Sequence, residues 1–114
     1  MPRSSRTDEL PIIRAHYELI LWLTPKVGKF PREHRFTVGQ RMERLLGEIL
    51  EKLIRAKFTR DRRAILESVN IDLEVLRFQI RLAKDLRCLS LKSYGNVSHK
   101  LLDIGRQVGG WLRS

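Results

Sequence analysis

The side chains best suited to catalysis or metal binding are three histidines and one cysteine. His16, His34 and His99 are far apart, and no Glu-x-x-His pair of the kind that binds iron in helical bundles occurs. Cys88 is the single cysteine, so it can form neither an internal disulfide nor a cysteine-rich zinc motif. No glycine-rich nucleotide-binding loop is present. We therefore expect no catalysis, no cofactor and no metal, and histidines that serve as surface or capping residues.

Arginine and lysine provide most of the chemistry that this chain can offer. Its 114 residues include 23 Lys and Arg against 13 Asp and Glu, a formal net charge of +10 at pH 7. Such an excess favours RNA or DNA as a partner. A basic surface kept for solubility and a peripheral membrane contact are the weaker alternatives. The longest apolar stretch, residues 19–23, is too short to span a bilayer. Because the chain has one cysteine and no recognisable targeting segment, we expect a cytoplasmic protein.

The most informative basic group lies in the third helical segment. Arg77, Arg81 and Lys84 are spaced four and three residues apart, which places them on one helix face. Arginines held there can present a planar fork to phosphate. The alternative is that they lie along apolar surface and pair with carboxylates such as Glu74 between subunits.

Two further basic groups surround the predicted turns, at residues 55–63 and 84–92. Little aromatic interleaving accompanies them, so we expect electrostatic binding with weak sequence preference and steep salt dependence. The predicted nucleic-acid or partner-binding residues are Arg41, Arg44, Arg55, Arg60, Arg63, Arg77, Arg81, Lys84 and Arg87.

The elements that must position these residues are four helices, because apolar residues recur at helical spacing and strand alternation is absent. The first helix is predicted to begin at Thr7 or Asp8 with Pro11 in its first turn, and the second between residues 32 and 37. The third runs from about residue 61 to 86, and the fourth begins near Ser90. The prediction is an all-α, antiparallel up-down four-helix bundle over residues 8–114, after a flexible basic tail at residues 1–7.

The third helix has two apolar lines. The core line is Leu66, Val69, Leu73, Leu76, Ile80 and Ala83, and the second line is Ile71, Val75, Phe78, Leu82 and Leu86. Because one side of a helix faces the core of a four-helix monomer, the second line favours a ring-like homo-oligomer. Its predicted interface is Ile71, Val75, Phe78 and Leu82. The alternative is that this line broadens the core face.

Several ordered motifs resemble a known family. They are Phe30-Pro31-Arg32 with Arg35-Phe36-Thr37-Val38-Gly39, then Leu76-Arg77-Phe78, Arg81-Leu82-Ala83-Lys84-Asp85-Leu86, Ile104-Gly105-Arg106 and Gly109-Gly110-Trp111-Leu112. In order and spacing they resemble the accessory variability determinant of diversity-generating retroelements. The chain is also similar, more distantly, to four-helix-bundle proteins encoded within ribosomal RNA intervening sequences.

The resemblance implies a basic four-helix bundle that assembles into a five-membered barrel, a homopentamer, without a catalytic site. It implies binding to the element's reverse transcriptase and to RNA or DNA, and a part in mutagenic retrohoming, in which error-prone cDNA replaces a variable gene segment. By the Leu-Arg-Phe match, Arg77 and Arg81 would be important positions. A basic protein–protein interaction module without a nucleic-acid role remains the alternative.

Overall fold

The computed structural model describes residues 10–114, which form four helical stretches and, within this range, no strand. The first helix is Pro11–Gly28, the third is Arg63–Asp85 and the fourth is Leu91–Arg113. The second combines an α-helical turn at Arg32–His34, a π-helical segment at Arg35–Gly39 and an α-helix at Gln40–Lys57. The all-α prediction is confirmed. The predicted tail and the helix start at Thr7 or Asp8 fall outside the described residues.

The four helices pack as an antiparallel up-down bundle. Their connections, residues 29–31, 58–62 and 86–90, are short, so each helix must run back along its predecessor. The first and third helices each pack against both the second and the fourth. This topology puts the second turn beside the end of the fourth helix, where Arg63 Nη2 lies 3.5 Å from the Leu112 carbonyl. The first and third turns share the opposite end.

Local sequence signals set the helix ends. Pro11 occupies the first turn of the first helix, where its missing N–H costs nothing. Ser90 caps the fourth helix, its Oγ accepting from Ser93 N–H at 3.0 Å. At the end of the third helix Cys88 N–H reaches back to the Ala83 carbonyl at 2.7 Å. This closure needs a left-handed residue, and Arg87 supplies it with φ 65°.

The core is an aliphatic seam to which all four helices contribute. The predicted core line of the third helix lies within it, each member no more than 1% exposed. At the edge of the seam, the Lys52 ammonium donates to Asp72 Oδ2 and to Ser68 Oγ, each at 2.7 Å. This bridge joins the second and third helices.

The π-helical segment packs closely against the end of the first helix. A Cβ on Gly39 would lie 2.8 Å from Val27 Cγ1 and 3.3 Å from Phe30 Cδ2. Side chains do not approach that closely, so the contact requires glycine. Two motifs that carry the family resemblance, the one at Phe30 and the one ending at Gly39, therefore hold the first turn together.

The prediction that the histidines are surface or capping residues is wrong for His16. Its side chain is 0% exposed, and Nε2 lies 2.9 Å from the Leu46 carbonyl. Because a carbonyl accepts, Nε2 carries the proton, and Nδ1 has no hydrogen-bond partner in the described part of the chain. Burial lowers the pKa of His16, opposed in part by the bond to Leu46. His16 precedes Leu19 by three residues and Leu23 by seven, and this helical spacing places it on the apolar face of the first helix.

Candidate nucleic-acid and partner interface

The second apolar line of the third helix faces solvent. Ile71 is 66% exposed, Val75 45%, Phe78 59% and Leu82 47%, so these side chains do not broaden the core of the single chain. Leu86 continues the line at 37% exposure. A contiguous exposed apolar face is a general feature of interaction sites, and this face is therefore a candidate for one.

Arg77 extends from this helix across to the fourth. Its Nη1 donates to Glu74 Oε1 at 2.9 Å, while Nη2 is 2.9 Å from the position of a Cβ on Gly105. Arg77 also lines a groove of about 210 Å³ between the two helices, together with Tyr94 and Leu102. The predicted pairing with Glu74 therefore exists within one chain, and it fixes the guanidinium at the border of the apolar line.

The other basic residues of this helix differ in how far they are paired. Lys84 Nζ lies 3.0 Å from Asp85 Oδ1 and 4.8 Å from the ring centroid of Tyr94. Arg81 and Arg87 are exposed, and their side chains have no hydrogen-bond or ionic partner in residues 10–114. These two arginines thus supply uncompensated charge beside the apolar line.

Arg41, Arg44 and Arg55 lie on a different helix. All three are exposed along the second helix, and within the described part of the chain their side chains form no ion pair. The predicted basic residues therefore do not form one compact site. They are distributed over the second and third helices and over both ends of the bundle.

A cleft opens at the end of the bundle that carries the second turn. It encloses about 390 Å³ and is lined by Arg60, Asp61, Arg62, Arg63, Leu66, Trp111, Leu112 and Ser114. The Arg62 guanidinium lies 5.3 Å from the ring centroid of Trp111. Arg63 makes two long contacts, at 3.5 Å each, to Glu67 Oε2 and the Leu112 carbonyl. Arg60 is exposed and has no side-chain partner among residues 10–114.

The expectation of little aromatic interleaving needs correction at this end. Phe58 is 78% exposed and lies 5.3 Å from Lys57 Nζ, and Trp111 stands among the cleft arginines. Because Phe58 follows Lys57 directly in the sequence, this aromatic–basic pair could be predicted from the sequence alone. Trp111 fits the apolar spacing of the fourth helix, and the up-down topology is the clue that places it near the second turn.

A model of the bAvd-like family matches residues 11–114. The chain belongs to the bAvd-like family. These are the bacterial accessory variability determinants, so the resemblance carried by the ordered motifs is confirmed. No curated protein matches the sequence. Membership in this family suggests an accessory role in a retroelement and association with its reverse transcriptase. Together with the small all-helical fold, it suggests a protein that is not an enzyme.

The Leu-Arg-Phe motif of this bAvd-like protein combines three different roles. Leu76 is 0% exposed in the core, Phe78 is 59% exposed, and Arg77 lies against Gly105 between them. Because consecutive helical residues are about 100° apart, three adjacent positions can reach the core, the neighbouring helix and solvent. The motif thus joins the core to the outer surface.

Among residues 10–114, no three histidine, cysteine, aspartate or glutamate side chains are grouped so as to hold a metal ion. Cys88 is half-buried, and its pKa is raised by burial and by the carboxylate of Glu33. None of the helices in this range combines the length and the apolar character needed to cross a bilayer.

Proposed function

We propose that this bAvd-like protein is a cytoplasmic, nucleic-acid-binding accessory subunit that scaffolds a retroelement reverse transcriptase and its template RNA or cDNA during mutagenic retrohoming. One observation carries the proposal. On the third helix, exposed apolar side chains lie beside Arg77 and beside Arg81, whose side chain has no partner among residues 10–114. A surface of this kind offers apolar packing to a protein and guanidinium groups to phosphate.

The apolar line serves as the interface between copies of the chain, with Ile71, Val75, Phe78 and Leu82 at its centre. Copies joined head to tail close into a ring, and the family resemblance implies five members. A ring repeats each basic cluster around its axis. At a net charge of +10 per chain, the field that attracts a polyanion then rises with the number of copies.

The assembly is tested by sedimentation velocity of wild-type protein, Phe78→Lys and Leu21→Lys. Phe78 and Leu21 are 59% and 58% exposed, on the third and first helices respectively, so they form a matched pair. We expect the mass of a pentamer for wild type and for Leu21→Lys, and monomers for Phe78→Lys. A monomeric wild type would contradict the ring, and a pentameric Phe78→Lys would contradict the proposed interface.

Nucleic-acid binding follows from the arginines that have no partner in the described chain. Arg41, Arg44, Arg55, Arg81 and Arg87 are all exposed. A phosphate that meets such a side chain displaces water and counterions rather than an existing carboxylate. These residues therefore contribute affinity with weak dependence on sequence.

The scaffold role is tested by co-expressing the chain with its cognate reverse transcriptase and capturing the enzyme by an affinity tag. Wild-type protein should co-purify in a complex that survives gel filtration. If the enzyme elutes alone although both proteins are folded, the scaffold role is refuted.

A basic interaction module that meets only protein is the second candidate. Its supporting observation is that Arg77 and Lys84 already pair with Glu74 and Asp85 inside the chain. Paired cations contribute less to a polyanion contact. This candidate predicts co-purification of the reverse transcriptase without binding to RNA or DNA at low salt.

A further inference from the structure

We propose that the cleft at the second-turn end binds an unpaired base of single-stranded nucleic acid, stacked on Trp111, with the flanking phosphates on Arg60 and Arg63. The proposal rests on the nucleic-acid-binding function proposed above. It adds the form of the ligand, single-stranded rather than duplex, and the place where one base is held.

The shape of the cleft suits a small planar group. Its volume of about 390 Å³ falls in the range of about 300–1,000 Å³ that small-molecule sites occupy. The half-buried side chains of Trp111 and Leu112 give it apolar surface. A base inside a duplex has both faces covered by its neighbours, so entry into this cleft requires an unstacked base.

The Arg62–Trp111 contact places two flat side-chain groups next to each other in the cleft. The guanidinium lies 5.3 Å from the indole centroid, within the distance of a cation–π contact. Bases stack on indole rings and on guanidinium planes alike. The pair therefore offers a stacking platform that accepts any base.

The charges of the cleft favour a base with its phosphates over a bare anion. Within residues 10–114 the Arg60 side chain has no partner, and Arg63 makes two contacts of 3.5 Å, long enough to be exchanged for phosphate. Asp61 also lines the cleft. Its carboxylate repels phosphate but accepts hydrogen bonds from the amino groups of bases. A nucleotide with its base inside and its phosphates at the rim satisfies all these groups.

The first test is fluorescence in a Trp22→Phe background, which leaves Trp111 as the single tryptophan of the chain. Three probes are titrated: a single-stranded oligonucleotide, its duplex, and a strand of equal length with abasic sites. We expect the single strand to quench Trp111 and the other two to bind without quenching. Equal quenching by single strand and duplex would overturn the proposal.

The second test measures affinity. Trp111→Leu should weaken single-strand binding about five- to 150-fold, the equivalent of about 1–3 kcal/mol per stacked base, and leave duplex binding and the salt slope unchanged. Trp111→Phe should restore most of the loss. Trp22→Leu is the matched control, because Trp22 is also half-buried and lies 4.5 Å from Lys26 Nζ.

The outcomes separate the two claims. If wild-type protein binds neither strand nor duplex at low salt, the proposed nucleic-acid function and this inference both fail. If it binds, but folded Trp111→Leu retains full single-strand affinity or the abasic strand binds as tightly, the base-stacking site alone is refuted. Thermal unfolding followed by circular dichroism establishes that each variant is folded.

Discussion

The guanidinium of Arg77, on the third helix, occupies the space that a side chain at Gly105 on the fourth helix would need. Arg77 Nη2 lies 2.9 Å from where a Cβ on residue 105 would be, and Nη1 is held by Glu74 at 2.9 Å. A glycine inside a helix lowers its stability, so residue 105 is better explained by the space it leaves than by helix propensity. That space fixes where one arginine of the proposed interface points.

Gly105→Ala should therefore separate stability from binding. The added methyl group favours the helix by up to about 1 kcal/mol, and the arginine end it meets can move aside. We expect unchanged or higher stability in urea denaturation, with weaker RNA binding because Arg77 is displaced. Gly95→Ala is the control, since nothing lies within 4 Å of its Cβ position. Equal RNA affinities for the two variants would show that the placement of Arg77 is unimportant.

Gly39→Ala and Gly47→Ala should change stability in opposite directions. At Gly39 the new Cβ would be 2.8 Å from Val27 Cγ1, whereas at Gly47 it meets nothing within 4 Å. We expect Gly39→Ala to lose about 1–3 kcal/mol through overpacking and Gly47→Ala to gain up to about 1 kcal/mol. Urea midpoints measure both. Similar midpoints would mean that the first turn does not depend on a glycine at position 39.

The buried His16 should make stability depend on pH. Because its pKa is lowered in the folded chain, the unfolded chain binds the proton more readily, and the free energy of unfolding falls as pH drops below about 6.5. His16→Gln should be less stable at neutral pH but lose this component of the pH dependence. His99→Gln, at an exposed site, should retain it. Identical pH profiles for wild type and His16→Gln would contradict the assignment.

Arg87 is placed where backbone energetics favour glycine. Its φ of 65° costs an L-residue about 1 kcal/mol relative to glycine. Arg87→Gly should therefore raise the free energy of unfolding by about that amount. It should also reduce the slope of log affinity for RNA against log salt concentration by about one. Arg87→Lys keeps the charge and should change neither property. If Arg87→Gly and Arg87→Lys are equally stable, the left-handed conformation carries no cost.

The fold could be predicted well because its signals are local and repeated. The core line of the third helix, the cap at Ser90 and Pro11 in a first turn follow from spacing and residue type. The missed features join distant residues. His16 meets a carbonyl 30 positions away, and Trp111 meets Arg62 across the bundle. Spacing along one helix carries no information on such pairs until the topology is known.

Nucleic-acid binding by the arginines of the third helix is tested by titrating a structured RNA and a matching DNA duplex at two salt concentrations. The proteins are wild type, Arg77→Gln/Arg81→Gln, and the charge-matched control Lys29→Gln/Arg106→Gln, whose residues are exposed and outside the proposed site. We expect wild-type protein to bind tightly and its binding to weaken steeply with salt. The Arg77/Arg81 variant should lose more affinity than the control, with the salt slope reduced by about two. If wild-type protein binds neither polymer at low salt, the nucleic-acid function is wrong and the basic surface is assigned to an acidic protein partner.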